Sequence, residues 1–192
     1  MKIMNGSMYQ KSISKTFQTN TLSLVFEILL LLFLGISAIV LRTYLRIPLN
    51  IPGRHGLEFM AILIIARRSS ILPFASIITM LGASTFMFFP FIGIKDPFLP
   101  IIYVVMGIVV DALYLLFRNP ANRLAILTLI GGLAYMVIPI SRLTIYLFTG
   151  ILESSFIKWG FVVPVISHFI FGLAGALLGA GLVYSINRIR KK

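Results

Sequence analysis

Residues 22–41 read LSLVFEILLLLFLGISAIVL, twenty residues interrupted by a single charge, Glu27. About twenty apolar residues carry a helix across a hydrocarbon core of ~30 Å. Without water, such a run satisfies its backbone polar groups only by closing on itself as a helix. The stretch reads as a transmembrane helix. Working outward, five more apolar stretches follow at 56–66, 70–90, 98–117, 124–149 and 161–186. The expected fold class is all-α and integral to the membrane, a six-transmembrane-helix bundle over residues 22–186. A polar cytoplasmic tail (1–21) precedes it and a basic cytoplasmic tail (187–192) follows. Residues 1–21 lack a short apolar core with a small-residue cleavage site, so the first span is read as retained.

The second stretch is the weak one, because Arg67 and Arg68 cut it short. It crosses only if it starts near Pro52 and its arginines snorkel to the interface. Crossing is preferred here, since a buried half-span needs surrounding protein that so small a chain hardly supplies. Pro73, Pro139 and Pro164 each remove a backbone donor and mark kinks or helix starts.

Composition narrows the function classes. Seventeen Lys and Arg against five Asp and Glu give a net charge of +12. In a soluble protein that excess would suggest nucleic acid; here the basic residues sit at span ends, where they meet anionic headgroups and set orientation. With the amino terminus inside, eleven of them are cytoplasmic (Lys2, Lys11, Lys15, Arg67, Arg68, Arg118, Arg123, Arg188, Arg190, Lys191, Lys192). Five are outside: Arg42, Arg46, Arg54, Lys95 and Lys158. A five-span chain with the amino terminus outside gives the same bias, so the charges do not choose between the two. Cysteine is absent, which excludes disulfides and thiolate metal sites.

The loop from Arg42 to Gly56 carries three arginines and a histidine on the side where the charge rule favours few. Arg54 and His55, between Gly53 and Gly56, could present side chains and backbone amides to an anion; the other reading is an interfacial loop touching headgroups. Inside the spans, ionisable groups are functional candidates by default. Arg142 and His168 fall at similar outer depth on neighbouring helices, with Tyr103, Tyr146 and Trp159 in the same half. Together with Arg42 they outline a pocket for a small, anionic or aromatic molecule. A structural Arg–His contact is the alternative. Glu27 and Asp111 fall in the inner half, within reach of Arg67, Arg68, Arg118 or Arg123.

The last span places Gly172, Ala176 and Ala180, and likewise Gly175 and Gly179, four residues apart, a small-residue face that permits close helix approach. It serves either packing within the chain or docking to a partner. Ala75, Thr79 and Ala83 repeat the pattern more weakly. No Gly-x-x-x-x-Gly-Lys phosphate loop is present, which excludes that route to ATP hydrolysis. Two histidines without adjacent carboxylates do not make a metalloprotease, and a Ser84–His168 hydrolase dyad lacks an elbow or oxyanion loop. No catalytic residue, cofactor or metal is expected.

The layout, with the run Ile47-Pro-Leu-Asn-Ile-Pro-Gly53 after a first span ending Ile36-Ser-Ala-Ile-Val-Leu41, resembles the substrate-binding S components of energy-coupling factor (ECF) transporters. The resemblance implies a vitamin or similar micronutrient enclosed between the first loop and the outer parts of the later helices. It also implies a separate transmembrane subunit and two ATPase subunits that reorient the S component in the cell membrane. The Ala-x-x-x-Ala signature of many S components is absent from the first span, which has Gly35 and Ala38 instead. The competing reading is a small structural scaffold of an envelope assembly, and a third is a lipid-modifying enzyme.

Overall fold

The computed structural model describes residues 21–45, 48, 50–94, 96–118, 120 and 123–189. Lys2, Lys11, Lys15, Arg46, Lys95, Arg190, Lys191 and Lys192, counted above for orientation, lie outside the described residues. So do Ile47 and Leu49 of the proline-bounded run.

The described residues form helices and no strand. In order they are α1 (Thr21–Tyr44), α2 (Gly56–Ser69), α3 (Ala75–Met87), a 3₁₀ turn (Pro90–Ile92), α4 (Leu99–Leu116), α5 (Leu124–Tyr135), α6 (Val137–Thr149), α7 (Ser154–Trp159) and α8 (Val162–Ile189). Prolines set most of the boundaries. The chain before Pro73 is pushed out of helical geometry, and Ser70 is already extended at φ −100°, ψ 144°. Pro90 follows α3, while Pro100, Pro139 and Pro164 occupy the first turns of α4, α6 and α8, where a missing N–H costs little. Met136 both ends α5 and begins α6, so the fifth apolar stretch is one path with a break. Residues 187–189 continue α8, so the helix runs further than the expected start of the tail.

Four segments are long and apolar enough to cross a membrane: α1, α4, α5 with α6, and α8. Helices α2 and α3 have 14 and 13 residues, about 20 Å each at 1.5 Å per residue, short of the ~30 Å core. Length thus supports four of the six expected crossings.

One sequence argument is corrected outright. This chain does surround its second apolar segment: Phe59, Met60, Leu63, Ile64 and Ala66 of α2 are buried, as are Glu58 and Arg67 near its ends. The glycines of α8 make this enclosure possible. A methyl group at Gly175 would overlap the Gly56 carbonyl oxygen, and one at Gly179 the Ala61 carbonyl. On the opposite flank Gly172 lies against Gly131 and Tyr135 of α5, and Ala176 against Gly131. Gly172, Gly175, Ala176, Gly179 and Ala180 are all buried between α2 and α5. The face is therefore filled from within the chain, and partner docking is not available to it in this conformation. Gly35 of α1 meets the Thr79 carbonyl of α3, and Gly82 of α3 meets Leu32. Large apolar side chains such as Phe26 and Phe33 on α1 and Leu178 and Leu182 on α8 remain exposed, as a lipid-facing surface requires.

One end of the bundle is closed by polar contacts. Asp111 of α4 ion-pairs with Arg67 at 3.3 Å and accepts hydrogen bonds from Ser76 N (3.2 Å) and Ile77 N (3.0 Å) in the first turn of α3. A carboxylate there satisfies two helix-terminal donors and complements the helix dipole. Arg67 also donates to Leu72 O (2.6 Å) and lies 4.3 Å over the Tyr114 ring. Arg68 donates to Ala180 O at 2.9 Å. Glu27 pairs with no arginine among the described residues; it accepts from Ser70 Oγ (2.5 Å) and Ile71 N (3.1 Å), holding the α2–α3 turn against α1.

Candidate functional site

The other end opens into a cavity of about 390 Å³, in the range of small-molecule sites. Its wall collects side chains from distant parts of the sequence: Arg42 at the end of α1, His55 before α2, Tyr103 of α4, Tyr135 of α5, Arg142 of α6 and His168 of α8. Asp96 and Glu153 reach it from two loops.

Arg42 sits in the last turn of α1, where a cation suits the helix dipole. Its Nη1 donates to the Tyr103 hydroxyl at 2.6 Å, and Tyr103 is braced edge-on by Phe59 with ring centroids 4.8 Å apart. Among the described residues no carboxylate forms an ion pair with Arg42. Arg142 is the opposite case. Its guanidinium contacts Asp96 and also pairs with Glu153 at 3.6 Å. The two acids come from the connections before α4 and after α6, so one arginine ties both loops together over the cavity.

His168 lies four residues after Pro164, and its Nδ1 is 2.6 Å from the Pro164 carbonyl oxygen. Its ring stacks on Tyr135 with centroids 5.1 Å apart. Gly53 covers this ring. At φ +80° its backbone is in the left-handed region, and a Cβ there would stand 2.9 Å from His168 Cγ, so conformation and space both call for glycine. Next to it, His55 Nδ1 pairs with Glu58 Oε1 at 2.6 Å. The second oxygen of this mostly buried Glu58 has no hydrogen-bond partner among the described residues.

Of the eight residues expected at the site, the structure brings Arg42, His55, Tyr103, Arg142 and His168 to one wall. Arg54 stands beside it, its Nε 3.5 Å from His55 Nε2. Tyr146 and Trp159 are corrections: neither lines the cavity. Tyr146 packs towards Phe161 with centroids 6.5 Å apart, and Trp159 is 37% exposed with the Lys158 ammonium over its ring. Both side chains turn to neighbours other than the cavity. Ser84 donates to Pro100 O at 2.7 Å and is absent from the cavity wall, so it forms no dyad with His168.

Tyr135, Asp96 and Glu153 are wall residues that the sequence reading does not reach, and Gly53, a turn residue there, proves to lie against His168. The acids carried a signal, because the chain has only five and three of them, Glu58, Asp96 and Glu153, gather at this end. The expected pocket of arginines, histidines and aromatic rings thus also holds acids: Arg142 is offset by two carboxylates, while Arg42 forms no ion pair among the described residues. Comparison of the chain with protein-family models, curated proteins and solved structures finds no match.

Proposed function

We propose that this chain is a membrane-embedded binding subunit that captures a small acidic solute. In this it would act like the S component of an energy-coupling factor importer, with a separate transmembrane subunit and two ATPase subunits supplying the energy. The observation that carries the reading is Arg42, a cation facing a cavity of molecular size, oriented by Tyr103 and offset by no carboxylate among the described residues. Such a group is costly to keep at a low-dielectric wall unless an anion is to meet it. The aromatic ring of Tyr135 and the apolar Ile138 and Phe156 supply surface for the body of the solute.

In this reading α2 and α3 also traverse the bilayer, shielded from lipid by their neighbours, and both termini are cytoplasmic. The cavity then faces outward, and the loop through Pro52 and Gly53 closes over it. Substrate enters from the aqueous outside, and release inside depends on the partner subunits.

Two results test this. Native mass spectrometry of the detergent-purified protein should find a small acid co-purifying, and Arg42→Gln should abolish its retention. Removing one partner of a buried charged contact costs about 3 kcal/mol, roughly a hundredfold in Kd; retention unchanged in Arg42→Gln would remove the basis of the proposal. For orientation, the wild-type chain has no cysteine, so Asn50→Cys supplies a unique probe. An impermeant thiol reagent should label it in intact cells; labelling only after lysis would place the cavity on the inner side.

A further inference from the structure

The tautomer of His168 narrows the chemistry of what the cavity accepts. A carbonyl oxygen only accepts hydrogen bonds. The 2.6 Å contact with Pro164 O therefore fixes a proton on Nδ1, and the neutral ring carries its free lone pair on Nε2. No residue among those described donates to Nε2, and that atom is not among the buried polar atoms left without a partner. Because His168 lines the cavity, Nε2 is an acceptor open to it. Tyr135 stacks on the ring and Gly53 lies against its Cγ–Nδ1 edge, which with the bond to Pro164 O holds its orientation. The wall thus offers a fixed acceptor at His168 and a fixed cation at Arg42.

We infer that the solute is an acid that also bears an N–H or O–H donor, its anionic group meeting Arg42 and its donor meeting His168 Nε2. This rests on the binding reading above and extends it to the substrate class. An acid lacking the donor would bury Nε2 unpaired, and a donor lacking the acid would leave Arg42 unpaired; each loss weakens binding.

The test has one arm that needs no ligand and one that does. The chain contains two histidines, so ¹⁵N-histidine spectra of the detergent-solubilised protein, assigned with His55→Gln, report the His168 tautomer directly. The expected form is Nδ1–H with an unprotonated Nε2; an Nε2–H form overturns the inference whatever binds. In the second arm, 4-hydroxyphenylacetate is compared by calorimetry with 4-methoxyphenylacetate, which lacks the donor, and with 4-hydroxyphenylacetamide, which lacks the charge. The first should bind at least tenfold tighter than either and shift the Nε2 resonance. His168→Phe should abolish its advantage over the methoxy compound, and Arg42→Gln its advantage over the amide. Equal affinity for all three leaves the binding reading standing and overturns this inference. Absence of binding by all three, with Nε2 unmoved, overturns both.

Discussion

Replacing Arg67 by methionine should lower the stability of the detergent-solubilised protein by roughly 3–5 kcal/mol. The arginine is only 5% exposed, and its loss strands Asp111, at 2% exposure, with two backbone donors and no cation. An unpaired buried carboxylate is a larger penalty than the pair itself is a gain. The same substitution removes the bond to Leu72 O and the cation over Tyr114, so α2, α3 and α4 lose their common tie. Thermal unfolding followed by circular dichroism measures the fall. Arg67→Met combined with Asp111→Leu should recover part of it, because both charges are then gone while the Leu72, Ser76 and Ile77 main-chain groups stay without these side chains. A double variant as unstable as the single one would show that the pair holds the end together through something other than charge.

Gly175→Leu should be at least as damaging, costing about 3 kcal/mol or more, since overpacking against rigid backbone cannot be relieved by side-chain movement. The added side chain would strike the carbonyl oxygens of Gly56 and Leu57, forcing α8 away from α2 and dragging His168 out of register with Gly53. The control is six residues further along the same helix. Gly181 has open space around its Cβ position, so Gly181→Leu should stay within ~0.5 kcal/mol of wild type. Size-exclusion profiles and melting of the two variants separate them. Equal tolerance of both would mean that α2 and α8 do not approach as closely as described.

The elements were legible in this sequence to the degree that hydrophobic run length and proline govern them. The run at 22–41 lies wholly inside α1, which continues three residues further to Tyr44, and Pro139 and Pro164 stand in first turns as helix starts. The shortness of α2 is legible in Arg67 and Arg68 and its start at Gly56 is as expected, whereas α3 is shorter than its apolar run and the burial of α2 depends on which helix approaches. Gly175 and Gly179 act through Gly56, Leu57 and Ala61, more than a hundred residues away in sequence. The candidate site divides in the same manner. Counting residues along a span gives depth, and Arg142 and His168 were set at one level on that ground alone. Counting gives no azimuth for a helix that is apolar all round, so it puts Tyr146 and Trp159 on the wall and does not single out Tyr135. Asp96 and Glu153 are loop residues whose meeting with Arg142 depends on how two connections fold, which no local pattern records. For Asp111 four arginines were in reach, and the choice of Arg67 was made by the turn at Leu72 and Pro73.

The break at Met136 has a consequence for the backbone itself. Pro139 has no N–H to return to the carbonyl four residues earlier, which belongs to Tyr135. The α5–α6 junction therefore leaves that main-chain oxygen without its regular helical donor, at the level where Tyr135 and Pro139 both line the cavity. An oxygen so released takes another donor: an N–H three residues on, water, or a group on the solute. The proline that breaks the helix thereby also sets the hydrogen bonding of the main chain at the cavity wall.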